Sequence, residues 1–334
     1  MSFDITVESG TSVRLPTAGK YCDRDIIVTS TSKTDDGWIG DGNTYIWITL
    51  SEGRTSPMLG VRVNGTVEID WGDGTLADIL SGTNTSVMQW TPNHEYPSPG
   101  DYIIRLTVND GSMEISGSNE YACILRHSSN SDNRNHSYLN SIRRVEIGNG
   151  ISKLGSYAFS GCRALASIDI PNHISSAEGG CFRNCSSLRS ITIPESMTGI
   201  GANAFNSCNS LLSAAFPNLT SIGAYSFSGC YSLSTVVIPK SMTNIVTNLF
   251  RGCYSLSTVV IEGSLASIGA SAFYDCNGVY RYDFSKCTSV PTLSSYDVFN
   301  GIAEDCKICV PAALYDEWIV KTNWTVYADY IVGV

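Results

Sequence analysis

The strongest constraint on this chain is a segment that it repeats. The ten residues GCYSLSTVVI occupy Gly229–Ile238 and again Gly252–Ile261, so that each residue recurs 23 positions later. Aligned on this segment, the sequence between Ile151 and Cys287 divides into six units, whose equivalent positions lie 22 or 23 apart. Such a period is typical of a solenoid, because one unit cannot bury its own apolar residues whereas stacked units can.

Three columns of the alignment hold an aromatic, a thiol and an aliphatic residue in turn. They are Phe159, Phe182, Phe205, Phe227, Phe250 and Phe273; Cys162, Cys185, Cys208, Cys230, Cys253 and Cys276; and Leu165, Leu188, Leu211, Leu233, Leu256 and Val279. The stretch that follows, L-x-S-I-x-I, ends in the alternation of a half-buried strand, and in four units the next residue is a proline that ends the strand. The A-F-x-x-C stretch predicts a short helical or 3₁₀ turn whose Phe enters the core from the other side.

These columns resemble the BspA-type leucine-rich repeat, whose pattern recurs about every 23 positions and has Cys where other classes often carry Asn. The resemblance covers about two fifths of the chain and implies a right-handed leucine-rich-repeat solenoid with about six such repeats. Val145–Ile147 fits one period earlier and predicts an entry strand. Ala177 and Phe216 replace the usual Ile, so we expect the coils beside them to pack less regularly.

The region that precedes the repeats has a different residue pattern. Alternating strands such as VRVNGTVEIDW and YIIRLTV are separated there by Gly, Pro, Asn and Asp turns. This pattern predicts a β-sandwich. It contains WGDGT (Trp71–Thr75) and the motif H-x-Y-x-x-P-G-x-Y-x-x-x-L-T-V (His94–Val108). Together these motifs resemble the PKD immunoglobulin-like domain, which implies a spacer or adhesion module with Trp71 as a core residue and positive φ at the glycines of GDG.

Polar residues of these motifs have two interpretations. Asp70, Asp73 and Asp78 could form a calcium site, but they lack the regular ligand spacing of an EF-hand, so turn-capping carboxylates are favoured. His94 is interpreted as a structural hydrogen-bonding residue, since the motif places no acid or nucleophile near it.

The predicted fold class is mainly β with short helical turns, a β-sandwich followed by the solenoid. The N-terminal segment ITVESGTSVRLPTAGKYCDRDIIVTS resembles a short module of phage and prophage tail-associated proteins of gut Firmicutes. The predicted organisation is a small β module at 1–32, a linker at 33–42, a PKD/Ig-like sandwich at 43–125, a linker at 126–138, a leucine-rich-repeat solenoid at 139–287 and a C-terminal cap at 288–334.

Twelve cysteines invite a disulfide or metal interpretation, but six of them form the repeat column. In-register strands keep parallel Cβ atoms farther apart than a disulfide prefers, so we expect free, buried thiols. Cys306 and Cys309 form a lone C-x-x-C that nothing completes into a zinc site, and i, i+3 side chains on a strand point to opposite faces. We therefore predict no metal and no cofactor.

Charge and hydropathy exclude several function classes. The net charge of −10, with no cluster of Lys and Arg, argues against nucleic-acid binding. No apolar run is long enough to span a bilayer, and the first residues, MSFDITVESGTS, lack the features of a secretory signal. We expect an extracellular or cell-surface location, or a place in a phage particle, reached by export or lysis.

The four histidines are scattered, and no H-E-x-x-H, G-x-S-x-G, G-x-G-x-x-G or P-loop pattern occurs, so we predict that the protein is not an enzyme. The favoured function is a modular binding or adhesion protein whose solenoid surface holds a protein or cell-surface glycan partner, with phage tail-associated host recognition as its sharper form. The alternative is a structural or assembly protein whose repeat rod packs into a larger particle or surface layer.

Candidate partner-binding residues follow from the repeat register. The outward strand residues are all small, whereas hot spots usually need Tyr, Trp or Arg. We therefore predict contacts at Tyr231 and Tyr254, which follow adjacent ladder cysteines and should stack, or at Arg281 and Asp283 at the distal end. The competing interpretation is that the tyrosines only cover the ridge, since single exposed aromatic residues are ordinary.

Overall fold

The computed structural model of the chain describes residues 41–52, 55–117, 124–126, 138, 140–216 and 218–334. The predicted N-terminal module at 1–32, and nearly all of the predicted linkers at 33–42 and 126–138, lie outside these residues. The described part of the chain is mostly β, with one short α-helix and two 3₁₀-helices near the C-terminus.

The first strands form an antiparallel sheet. They are β1 (Thr44–Leu50), β2 (Met58–Asp70), β3 (Asp78–Trp90), β4 (Gly100–Ile115) and β5 (Leu125–Arg126). β2 pairs with β3, β4 and β5, and β4 also pairs with β1. Register shifts bend β2 at two places. Beside the second shift, β2 and β4 approach so closely that a Cβ on Gly111 would lie 1.9 Å from the backbone oxygen of Asn64.

Short strands then alternate between two sides of a coil, as the period-two endings of the repeats predict. They are β6 (Ile142–Glu146), β7 (Ile151–Leu154), β8 (Ser167–Asp169), β9 (Ser176–Ala177), β10 (Ser190–Thr192), β11 (Gly199–Ile200), β12 (Ser213–Ala215), β13 (Ser221–Ile222), β14 (Thr235–Ile238), β15 (Asn244–Ile245), β16 (Thr258–Ile261), β17 (Ser267–Ile268), β18 (Arg281–Asp283), β19 (Thr292–Leu293), β20 (Lys307–Val310) and β21 (Ile331–Gly333).

Even-numbered strands from β6 to β20 form the front ladder, and odd-numbered strands from β7 to β19 form the back ladder. Within the described residues this is a β-solenoid of about eight turns. Parallel pairs join each residue to the one a repeat later, as Val236 joins Val259. The front ladder is interrupted between β8 and β10, and the back ladder between β13 and β15. Ala177 lies on β9, which pairs with both of its neighbours in the back ladder. Beside Phe216, β12 pairs with β14 through only one residue pair, Ser213 with Thr235.

The column of phenylalanines forms the spine of the core. Successive rings from Phe159 to Phe273 stack with centroids 5.1 to 5.8 Å apart, and each ring is buried. The stack continues to Phe299, which lies 5.6 Å from Phe273, and β20 pairs with β18. The solenoid therefore extends past residue 287, where the sequence pattern stops. Its final turn keeps the core Phe but does not keep the 23-residue spacing.

The column of cysteines ties each coil to the one before it. The Cys208 thiol donates to the backbone oxygen of Phe182 at 3.1 Å, and the other ladder thiols from Cys185 to Cys276 make the equivalent bond. All ten cysteines in the described part are free and buried, which confirms the predicted thiols there. Burial raises the pKa of Cys230 and of Cys276 to about 12.

The two ends of the solenoid are covered by different structures. At the start, β1 pairs with β6 and β4 pairs with β7, so the antiparallel sheet continues into both ladders. At the other end, β21 pairs with β20, and the helix α1 (Tyr315–Val320) and a 3₁₀-helix at Thr325–Tyr330 pack over the last coil. Trp318 and Trp324 lie against Phe284 in this aromatic cap.

Candidate binding surface

The turns that contain the core Phe residues line up along the solenoid, and we call this row of turns the ridge. The turns from Phe159 to Phe273 each have two left-handed positions, one on each side of the Phe, so that the ridge contains two columns of left-handed residues. The first column is Tyr157, Gly180, Asn203, Tyr225, Asn248 and Ser271, and the second is Gly161, Asn184, Ser207, Gly229, Gly252, Asp275 and Gly301. Positive φ is uncommon outside Gly and Asn, so this recurrence shows that the coil imposes the turn. These turns fix the position of the residue that follows each cysteine. We call that position the crest of the ridge.

Tyr231 and Tyr254 occupy adjacent crest positions. Their rings stack at a centroid distance of 5.2 Å with an interplanar angle of 24°, as the repeat register predicts. Both side chains stay about half exposed, at 46% and 47%. Together they form an amphipathic aromatic surface on rigid turns, which is the kind of surface that anchors binding partners. We call these two residues the tyrosine ridge.

The front ladder presents a flat face of small side chains beside this ridge. The outward residues from β10 to β16 are Ser190, Thr192, Ser213, Ala215, Thr235, Val237, Thr258 and Val260, all exposed or half-buried. None of these eight carries a charge, so a partner could lie along the face without desolvating an ion.

Arg281 and Asp283 lie farther along the same face, on β18. The Arg281 guanidinium donates to the Asp283 carboxylate at 2.9 Å. Partial burial pushes the pKa of Asp283 upward, but hydrogen bonds from Ser285 and Arg281 outweigh it and hold that pKa below its usual value. Lys307 follows Arg281 in register on β20, so this end of the face is polar where the middle is neutral.

The structure thus brings the predicted residues together as two pairs on different parts of the coil, one on the turns and one on a strand. Their role in binding stays a prediction. Sequence reasoning missed two exposed apolar residues on the turns that lead into the front ladder, Leu212 at 53% and Tyr280 at 56% exposure. The column register carried a signal for both, because their counterparts in most units are small or polar.

In the antiparallel region, the WGDGT motif forms a packed turn. Trp71 is buried and its indole N–H donates to Asp78 at 2.8 Å. Asp70 accepts from the backbone N–H of Gly72, and Asp73 accepts from that of Thr75. The three carboxylates therefore cap the turn.

His94 stacks on Trp71 at 4.5 Å and bonds Asp73 through Nε2 at 2.8 Å. The hydrogen bond predicted for His94 is present, and its partner is an acid from outside the His94–Val108 motif, because the turn folds back to bring a residue 21 positions away into contact. The hydrogen bond between His94 and Asp73 holds two parts of one packed turn together.

The described residues contain neither a metal-ion cluster nor a membrane-spanning helix. No cluster of three or more His, Cys, Asp and Glu side chains there is arranged to hold a metal ion. Nor does that part of the chain contain a helix with the length and hydropathy needed to cross a membrane.

Comparison with solved structures finds other leucine-rich-repeat proteins. They include a T. pallidum leucine-rich-repeat protein, with 27% identity, 50% coverage of this chain, 71% of that chain and a TM-score of 0.42. A Bacteroides ovatus leucine-rich-repeat protein has 19% identity, coverage of 51% and 57%, and a TM-score of 0.34. A Faecalibacterium prausnitzii leucine rich cell surface protein has 23% identity, coverage of 51% and 67%, and a TM-score of 0.29. No curated protein matches the sequence.

The family comparison covers the coils themselves. The BspA type leucine rich repeat region matches in six copies over residues 132–219 and 190–303, which together span just over half of the chain. The columns of Phe, Cys and Leu that this match covers are those that build the core between the two ladders. The chain therefore belongs to the BspA-type leucine-rich-repeat family.

Proposed function

We propose that this protein is a non-enzymatic binding or adhesion protein whose solenoid surface holds a protein or cell-surface glycan. The observation that carries the proposal is the tyrosine ridge: two stacked, half-exposed aromatic rings on turns fixed by the coil, beside a neutral strand face. Membership of a leucine-rich-repeat family, whose members typically act in surface binding or adhesion, supports it. In this proposal the protein acts at a cell surface or on a phage particle.

The other regions have supporting roles in the proposal. The antiparallel region is a PKD-like spacer, supported by the packed Trp71 turn and the His94 motif. The N-terminal resemblance to tail-associated proteins extends the proposal to recognition of gut bacterial hosts. The assembly alternative is less favoured, because β1 and β4 cover one end of the ladders and α1 and β21 cover the other, so coils do not stack freely end to end.

The test is binding of the fluorescently labelled chain to a panel of gut bacterial cells. The expected result is binding by the wild-type chain that the double variant Tyr231→Ser, Tyr254→Ser reduces at least about tenfold, as loss of an aromatic hot spot does. A matched control is Leu76→Ser, which removes a side chain that is 94% exposed in the antiparallel region.

Point variants are better suited to this test than a truncation after residue 125, because the truncation removes β6 and β7 and leaves β1 and β4 without these partner strands. Unchanged binding by the double variant would contradict the ridge. Failure of the wild-type chain to bind any strain, with particles growing in light scattering, would favour the assembly function.

A further inference from the structure

Each coil donates three backbone N–H groups to the next coil at the ridge turn, and two of these three rows bear on the end of the solenoid. The first row runs from the phenylalanines, as in Phe250 to the oxygen of Ala272 at 2.9 Å. The second row runs from the left-handed residue before each cysteine: the bonds from Gly161, Asn184, Ser207, Gly229, Gly252 and Asp275 measure 2.6 to 2.8 Å. These donors always meet a main-chain carbonyl of the following coil.

At the last coil the cap replaces only one of these acceptors. The Phe299 N–H donates to the Tyr327 hydroxyl at 3.1 Å, and that hydroxyl donates to the oxygen of Tyr296. Gly301 is the last member of the second row, with φ of 81°. Among the residues that the structure describes, none places an acceptor on the Gly301 N–H. The second row thus ends at Gly301 with a main-chain donor that no described residue accepts.

Gly301 lines a surface depression of about 350 Å³ between the last ridge turn and the C-terminal 3₁₀-helix. Its wall contains Tyr296 at 70% exposure and Val326 at 56%, with half-buried Ile302 and Tyr330 beside them. The depression therefore combines an apolar and aromatic wall with a main-chain donor, a combination found in sites that bind a chain segment.

Acidic residues adjoin the depression along the chain. Its lining residues are uncharged, but the segments that supply them, 296–302 and 326–330, contain Asp297 and Asp329 and no Lys or Arg, and Glu304 and Asp305 follow the first of them. Glu304, Asp305 and Asp329 are exposed. A partner carrying a cationic side chain complements this rim and would approach faster than a neutral one.

We infer that this depression is a second binding site, which takes a short segment of a partner protein that adds to the solenoid as part of a further turn. A main-chain carbonyl of the segment accepts from Gly301 N–H, an apolar side chain packs on Tyr296 and Val326, and an adjacent Lys or Arg faces the acidic rim. The continuity of the second hydrogen-bond row favours a peptide over a saccharide, because every earlier donor in that row meets a peptide carbonyl. This site does not rest on the tyrosine ridge.

The experiment pans a random peptide library against the full chain and measures the Kd of the enriched peptides by fluorescence anisotropy. We expect peptides with a basic residue next to an apolar one, whose Kd rises about tenfold or more with Tyr296→Ser. The matched control is Tyr280→Ser, which removes another exposed tyrosine and should leave the Kd within about twofold. The Tyr231→Ser, Tyr254→Ser variant should also bind these peptides normally, which separates this site from the ridge.

Amide hydrogen exchange supplies a second readout that does not depend on side chains. In the free chain, the Gly301 amide should exchange faster than those of Gly229 and Gly252, and saturating peptide should slow it about tenfold or more. The site is refuted if no peptide is enriched, if Tyr296→Ser has no effect, or if peptide binding leaves Gly301 exchange unchanged. A glycan-array signal that Tyr296→Ser abolishes, with no peptide enriched, would overturn the peptide assignment in favour of a saccharide.

Discussion

Truncation of Phe205 to Ala tests whether burial of the phenylalanine column stabilises the solenoid. The Phe205 ring is fully buried between two others, with centroids 5.2 Å from Phe182 and 5.1 Å from Phe227. Removing a buried Phe costs about 3–5 kcal/mol, and the rings on both faces limit how far the site can collapse. We therefore expect the free energy of unfolding to fall by about 4 kcal/mol.

The control is Tyr231→Ala, because the chain offers a ring pair with almost the same stacking distance at its surface. Tyr231 and Tyr254 stack at 5.2 Å, yet Tyr231 is 46% exposed. Removing this ring should cost no more than about 1 kcal/mol, since little apolar surface leaves a buried state and surface substitutions usually change stability little.

The assay is urea unfolding followed by circular dichroism and by tryptophan fluorescence. With an m-value of about 3 kcal/mol/M, a loss of about 4 kcal/mol lowers the Phe205→Ala midpoint by about 1.3 M. The Tyr231→Ala midpoint should move by about a quarter of that. Equal shifts for the two variants would refute the argument, because stacking geometry rather than burial would then determine the cost.

Three further predictions concern charge, thiols and a buried hydroxyl. Partial burial raises the pKa of Glu178, but hydrogen bonds from Lys153 outweigh it and hold the pKa below its usual value; Glu178→Gln should therefore lower stability at pH 7 but not at pH 3, because this contribution is lost as pH falls below about 4. In a Cys22→Ser, Cys123→Ser background, the remaining buried thiols should react with a thiol reagent at pH 8 only as fast as the chain unfolds; a faster burst would contradict the burial. Tyr282→Phe should raise the free energy of unfolding by about 1 kcal/mol, because the buried Tyr282 hydroxyl has no hydrogen-bond partner among the described residues, and a calorimetric Tm below wild type would contradict this.

The repeat columns could be predicted because their information is local and repeated. A column of Phe or Cys at a fixed period requires that each coil meets the same neighbour, so the stack, the buried thiols and the Tyr231–Tyr254 contact follow from register alone.

Other contacts could not be read from the sequence, because they join distant segments without a shared period. The pairing of β1 with β6 joins Tyr45 to Glu146, about a hundred positions apart. The His94–Asp73 contact depends on a turn that folds back on itself. The last coil keeps its core ring, but Phe299 follows Phe273 by 26 positions instead of 23. The sequence period is therefore lost at this coil although the stack of rings continues.

The different ends of the solenoid bear on where recognition occurs. At the start, main-chain pairing by β1 and β4 covers both ladders, and a second copy cannot add there without displacing them. At the far end, Tyr327 closes the donor of Phe299 and the tryptophans cover the core, but Gly301, which lines the depression, has a main-chain donor that no described residue accepts. A rod that grew by stacking would need two open ends, and this chain has at most part of one. Recognition along the side of the coil, with one segment-sized site at its end, therefore fits the hydrogen-bond ladder better than polymerisation does.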